Sequence, residues 1–342
     1  MKQGSGIENI AIIGMGALGL LFGDLLQRDE GLSVGFILDE ARMARYQSQS
    51  ISVNGVAKRF DFLAAREAAA PADLVIFAVK ATALEGAMED AAGYVGPGTV
   101  VVSLLNGITS EGLLEARFGR NRVVYCTAQG MDATREGRAL YYTKPGQLCV
   151  GLPDGRPRDG LDALVEVLRR TGIPHTVDED IQHRLWSKFM LNVGVNQVVM
   201  VREGNYGTVQ ASGEAREQMV AAMREVIELS RLEGVPVTET DLEYYVSLID
   251  TLSPEGMPSM RQDGLAHRKS EVELFSGTVC RLARKHGLDV PVNRKLYETI
   301  LAMEAGWSGY LHLCCPMRSQ KKSNRSVLTL SSIPQHSALK RS

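Results

Sequence analysis

Lys188, Asn192 and Asn196 recur every four residues within Ile181–Val201, a stretch that is otherwise mostly apolar. A step of four nearly closes a helical turn. The three polar side chains therefore share one stripe of a helix whose other faces carry Leu185, Trp186, Phe189, Met190, Val193 and Val198. Burying an ammonium is costly unless it is paired or reaches water, and buried amides need partners too. One reading is a set of satisfied polar groups where two helices cross. The other is a cleft, in which the ammonium gives a proton to an oxygen that is gaining charge.

A second polar segment runs Pro258-Ser259-Met260-Arg261-Gln262-Asp263 and continues through Arg268-Lys269-Ser270-Glu271-Val272-Glu273. Pro and Ser before a helix form a start signal, so Ser259 reads as an N-cap with Gln262 as its capping-box partner. Glu271 falls inside a helix expected over Asp263–His286, among Leu265, Val272, Leu274 and Phe275. A carboxylate there is hard to dismiss as a surface group, although Glu271 or Glu273 could on sequence alone simply be exposed.

The third constellation concerns phosphate. Asn9–Ile13 reads as a short strand rich in β-branched residues, followed by Gly14-Met15-Gly16-Ala17-Leu18-Gly19 and a helical pattern to Leu26 or Gln27. In such a strand-turn-helix the first glycine makes the turn and the second admits a pyrophosphate to the backbone. The third lets helix and strand pack closely, and the helix N-terminus faces the phosphates. Asp39 lies about twenty residues on, at the end of a strand expected over Leu32–Leu38, where an acid commonly takes the ribose hydroxyls of NAD. Arg42 and Arg45 follow, and guanidiniums at this place instead suit the 2′-phosphate of NADP. Lys80 and Asn106 end two further apolar runs, Leu74–Val79 and Thr99–Leu104, which places them at the ligand-binding edge of a parallel sheet. Asn106, preceding Gly107, also reads as a simple turn residue.

These elements imply an α/β fold of the Rossmann type, a doubly wound sheet, followed by an all-α domain. The runs Val123–Thr127, Ala139–Thr143 and Leu148–Gly151 read as β-structure closing the first domain, with charged and glycine-containing turns between them. A helix over Leu161–Thr171 and a short strand near Pro174–Val177 follow. Long helical periods then cover Glu214–Glu233, Glu239–Leu252, Asp263–His286 and Asn293–Ala305. The expected division is a dinucleotide-binding domain over 1–179, a helical substrate and dimerisation domain over 180–306, and a disordered basic tail over 307–342 without acidic residues or periodicity.

The formal net charge of −2 argues against nucleic acid or an anionic membrane as partner. The five cysteines show no CxxC pair, which argues for reduced thiols in a cytoplasmic protein and against a metal site. Ile10–Leu26 has the apolar length of a signal segment, but it is studded with glycines, carries Asp24 and lacks a cleavage site after it.

From about Asn9 to about Ala305 the chain resembles the ketopantoate reductase (2-dehydropantoate 2-reductase) family. The likeness rests on the GMGALG turn, Val79-Lys80, Leu105-Asn106-Gly107, the Lys188/Asn192/Asn196 helix, and Ser259, Met260, Gln262, Asp263 and Glu271. It implies an NADPH-dependent reduction of 2-dehydropantoate to (R)-pantoate on the way to pantothenate and coenzyme A, and a homodimer. It further implies Lys188 as general acid and Glu271 holding the ammonium or a substrate hydroxyl. Asn192 and Asn196 would bind hydroxyls, and Ser259 and Asn106 would meet the carboxylate end. Gly14, Met15, Gly16, Ala17, Leu18, Gly19, Asp39, Arg42, Lys80 and Asn106 would line the cofactor. Asp39 departs from a strict NADPH pattern and leaves NAD open. Alternatives are a paralogous reductase of another 2-oxo acid and a non-catalytic dinucleotide-sensing protein.

Overall fold

The computed structural model describes residues 6–48, 50–67 and 70–313. The first part begins β1 (Asn9–Ile13), α1 (Ala17–Leu26), β2 (Ser33–Leu38) and α2 (Glu40–Gln47). Three short strands follow, β3 (Ile51–Val53), β4 (Val56–Lys58) and β5 (Asp61–Ala64), then β6 (Ala72–Phe77), α3 (Leu84–Ala91), β7 (Val95–Ser103) and α4 (Ser110–Phe118). It closes with β8 (Val123–Met131), β9 (Thr134–Glu136), β10 (Ala139–Tyr141), β11 (Pro145–Gly151), α5 (Asp159–Arg170) and β12 (His175–Val177).

Eight of these strands form one sheet in the order β12-β11-β8-β7-β6-β1-β2-β5. Every pairing in it is parallel except that of β8 with β11. The alternation of side chains along each strand explains the two cores. Ile10 and Ile12 of β1 pack with Leu74 and Ile76 on the face covered by α1 and α5, through Phe22, Leu164 and Leu168. Ala11 and Ile13 pack with Val75, Phe77 and Val101 on the opposite face, under α3 and α4, through Leu84 and Leu114. Strands buried on both sides must be apolar at every position, which is why these runs are unbroken in the sequence. The remaining short strands make a separate sheet, β4-β3-β10-β9, whose first two strands, β3 and β4, carry no signal in the sequence.

Beyond Asp180 the chain is helical: α6 (Ile181–Val201), α7 (Tyr206–Gln210), α8 (Glu214–Leu232), α9 (Glu239–Asp250), α10 (Ser259–Leu265), α11 (Thr278–His286) and α12 (Pro291–Leu313). The Asp180 carboxylate caps α6 by accepting from the His183 N–H at 2.9 Å. Phe189, Met190, Val193 and Val198 of α6 are buried against Met219, Met223 and Val226 of α8. Gly194 lets the two helices approach, since a Cβ there would lie 2.5 Å from Met223 Cγ.

Two expectations are corrected. The helix expected over Asp263–His286 is broken: α10 ends at Leu265, and a π-helical turn, Glu273–Gly277, leads into α11. His267 adopts a left-handed φ of 47°, which ends the helix, and the Arg268 N–H returns to the Asp263 carbonyl at 2.9 Å. Glu271 therefore sits in the connection and not in mid-helix. The last helix also extends beyond Ala305 to Leu313, into the expected tail, whose part from residue 314 lies outside the described residues. Trp307 belongs to the folded body, packing on the helical core and stacking on the His267 ring at 5.5 Å.

Replacing Trp307 by Ala should accordingly lower the unfolding free energy by about 1–3 kcal/mol, the range for losing a partly buried aromatic side chain. Chemical denaturation checks this, and an unchanged midpoint would show that the indole contributes no packing.

Candidate active site

The glycine turn has the shape that a pyrophosphate requires. Gly14 has φ of 108°, and a Cβ on it would lie 2.4 Å from the Ala78 carbonyl oxygen. A Cβ on Gly19 would lie 1.9 Å from the Gly14 oxygen. Both glycines are thus required by the protein's own packing. Gly16 is different: the nearest atom to its Cβ position is 3.8 Å away, so its bareness leaves room on the open side of the turn. The N-terminus of α1 carries no side-chain cap and no acidic residue in its first turn, leaving its N–H groups for an anion. Met15 is buried and Ala17 and Leu18 are half-buried against the sheet core, so these three shape the turn from below.

At the end of β2, Asp39 caps α2: its carboxylate accepts from the Arg42 N–H at 2.7 Å and pairs with Arg42 Nε at 3.2 Å. Lys80, just past β6, reaches across to the helical domain and pairs with Asp263 at 2.8 Å, while Arg268 holds the other Asp263 oxygen at 2.9 Å.

The central group is assembled from both domains. Lys188 Nζ donates to the Ala128 carbonyl of β8 at 2.5 Å and to Asn106 Oδ1 at 3.3 Å. Asn106 in turn donates through Nδ2 to Glu271 Oε2 at 3.2 Å. Lys188 and Glu271 are thus coupled through Asn106, without direct contact. Gly107 makes the junction possible, with φ of 90° and a Cβ position 2.8 Å from Leu274, three residues beyond Glu271. The turn reading of Asn106 is therefore incomplete: its side chain joins the two charged groups.

Burial pushes the Lys188 ammonium down to about 8, only partly offset by Cys126 and Glu271 nearby. Burial raises the Glu271 carboxyl, against the Asn106 hydrogen bond and the Lys80 charge. Asn192 and Asn196 lie one and two turns further along α6, and their side chains make no hydrogen bond among the described residues. Asn196 is only 5% exposed, so this amide needs a partner from a ligand or water.

Ser259 is exposed at the start of α10 and does not cap it; Pro258 occupies the cap position and Gln262 donates to the Met257 carbonyl at 3.2 Å. The expected capping box is absent, and the Ser259 hydroxyl has no partner among the described residues. Two site features went unread. The Ala128 carbonyl carries no side-chain signal. Glu111, in a Ser110-Glu111 helix start, has the look of a surface acid, yet it is buried and its carboxyl is pushed up to about 7 by that burial. Among the described residues, no cluster of three or more His, Cys, Asp or Glu side chains is placed to hold a metal.

The cost of Lys188 has a defined pH signature. Its folded value, about 8, lies below the unfolded value of 10.5. The penalty is therefore fully present below about pH 8 and is lost as pH rises toward the unfolded value, because the unfolded chain binds more protons in that window. Relative to the native chain, Lys188→Met should gain roughly 2–3 kcal/mol between about pH 10 and pH 7. Denaturation at both pH values measures it, and a pH-independent difference would contradict the desolvated ammonium.

Sequence and structure comparisons agree with this two-part fold. The family model described as "Ketopantoate reductase PanE/ApbA" matches residues 10–155, and its partner, "Ketopantoate reductase PanE/ApbA C terminal", matches residues 180–304. A 2-dehydropantoate 2-reductase of Archaeoglobus fulgidus is 27% identical over 300 residues, covering 88% of this chain and 99% of the relative. That of Streptococcus pyogenes serotype M6 is 25% identical over 303 residues, covering 86% and 98%. Among solved structures, a D-mandelate dehydrogenase with NADH and anilino(oxo)acetate superposes with a TM-score of 0.79 at 23% identity, covering 88% of this chain and 99% of that one. A 2-dehydropantoate 2-reductase from Geobacter metallireducens GS-15 gives 0.76 at 23%, covering 86% and 99%. With both family models matched across the sheet domain and the helical domain, the chain belongs to the ketopantoate reductase family.

Proposed function

We propose that this protein reduces the ketone of a 2-oxo acid, 2-dehydropantoate, to the corresponding hydroxy acid with NADPH. The observation that carries the reading is the Lys188 ammonium, held by the Ala128 carbonyl and Asn106 and kept acidic by burial, beside a row of unpartnered amides. When bound, the dinucleotide supplies the hydride. The rest of the chemistry belongs to the chain.

Hydride addition to a ketone carbon breaks the C=O π bond and leaves the electron pair on oxygen. Lys188 Nζ donates a hydrogen bond to that oxygen and then passes it a proton, ending as the neutral amine. An ammonium with a value near 8 gives up its proton more readily than an exposed lysine does, yet remains charged at neutral pH. Asn106 accepts from the ammonium through Oδ1 and donates to Glu271 through Nδ2, so the amide couples the acid to the acceptor. Glu271 accepts a substrate hydroxyl, and Asn192 and Asn196 take further hydroxyl or carbonyl groups. Ser259, exposed at the start of α10, meets the carboxylate.

The Lys188 group supports the reaction type, whereas the family supports the substrate. A substrate panel separates the two. Ketopantoate should give the highest kcat/KM among small 2-oxo acids, and a better substrate in the panel would move the chain to another 2-oxo acid. Lys188→Ala should lower turnover by about two to four orders of magnitude while leaving dinucleotide affinity nearly intact. Turnover close to native in that variant would remove Lys188 from the chemistry.

A further inference from the structure

The small sheet β4-β3-β10-β9 is no part of the dinucleotide fold, yet its register places it beside the cofactor end. β3 follows α2 directly, and β10 pairs with β3 in parallel, which carries the β9–β10 hairpin to the flank of α2. The hairpin turns through Gly137-Arg138, with Gly137 at φ of 58°. Arg135 is thereby delivered to the glycine turn, and both Arg135 and Arg138 to the last turn of α2.

Arg135 is held in place on three sides. It donates through Nη1 to the Met15 carbonyl inside the glycine turn, through Nη2 to the Tyr46 hydroxyl at 2.9 Å, and through Nε to the Gly137 carbonyl at 2.9 Å. A guanidinium has five N–H groups, so two of those on Arg135 remain for a ligand. Tyr46 gathers the other cations: Arg45 lies 5.4 Å and Arg138 5.6 Å from its ring centroid, and Arg138 donates to the Arg45 carbonyl at 3.3 Å. Burial pushes the Tyr46 phenol up, but the Arg135 and Arg45 charges outweigh it and leave it below its ordinary value. Three guanidiniums thus meet at Tyr46, while Arg42, in the first turn of the same helix, pairs with Asp39. Asp39 is already closed on Arg42 and on the N-terminus of α2, and Glu40 and Glu136 are exposed.

In a strand-turn-helix of this kind the ribose is held at the end of the second strand, between the glycine turn and the following residues. Arg135 joins the glycine turn to Tyr46, on the helix that follows the second strand. We infer that Arg135 and Arg138, carried by the accessory hairpin and aligned by Tyr46, select a phosphomonoester on the adenosine ribose and are cofactor-specificity residues of this chain. The inference rests on the reading of the turn as a dinucleotide site and extends it to a second structural element. Bidentate guanidinium–phosphate contacts discriminate a ribose phosphate from a ribose hydroxyl by charge and shape together.

Calorimetric titration of the protein, without substrate, with 2′-phospho-ADP-ribose and with ADP-ribose tests this independently of catalysis. The native chain should bind the phosphorylated ligand more tightly. Arg135→Gln combined with Arg138→Gln should weaken 2′-phospho-ADP-ribose by about tenfold or more, the equivalent of one lost charge-assisted contact, and ADP-ribose by less than about threefold. Arg135→Lys, which keeps the charge but not the fork, should fall between. Retained ADP-ribose affinity also shows that each variant is folded at the site. Equal losses for both ligands, or no change for either, would overturn the assignment of the hairpin arginines. Failure of the native chain to bind either ligand would instead overturn the dinucleotide reading beneath it.

Discussion

One ammonium ties the molecule together at its functional centre. Lys188 stands on the first helix after the sheet domain, and its head group reaches back to that domain, to the Ala128 carbonyl and the Asn106 amide. Asn106 then returns the connection to the helical domain through Glu271, and Lys80 makes a second crossing to Asp263. Burying a lysine opposes folding, so the position persists only because a carbonyl, an amide and nearby carboxylates surround it. The desolvation that makes it costly also makes it a better acid. In the proposed reaction, stability is given up where the chemistry needs a proton donor active near neutral pH.

The rest of the fold serves this junction and the turn opposite it. The sheet must be apolar on both faces to hold β1, β6 and β7 at one level, because the residues that matter follow those strands: the glycine turn, Lys80 and Asn106. The helical core positions α6 by packing Phe189, Met190 and Val193 against α8, which leaves the Lys188, Asn192 and Asn196 stripe outside that apolar contact. Gly107 and Gly194 allow the close approaches on which that geometry depends.

Much of this was legible in the sequence because it is periodic or local. The stripe on α6 is a matter of spacing, and the glycine turn of residue type between a strand and a helix. What escaped was set by distant contacts. The break after α10 depends on His267 adopting a left-handed conformation and on Ser270 bonding Glu304, neither of which has a composition signal. The exposed hydroxyl of Ser259 reads as a cap until Pro258 is seen to hold that place. The three-residue strands β3, β4 and β9 carry too little pattern to be read, whereas β10 and β12 are marked by their apolar and β-branched runs. Hence nothing in the sequence brings Arg135 to Met15, 120 residues away. The boundary at Gly306 failed for a simpler reason, since Trp307 packs onto the body although the residues after it lose periodicity.

The proposed reaction depends on Lys188 being the proton donor, and the pH dependence of kcat/KM for ketopantoate reduction addresses it most directly. This ratio reports ionisations of the free enzyme, and reduction requires the protonated amine. The profile should be level through neutral pH and fall about tenfold per pH unit above an apparent value near 8, the position burial gives the Lys188 ammonium. A rate that stays level to about pH 10 would contradict it, since an acid desolvated as Lys188 is would have lost its proton well before that point.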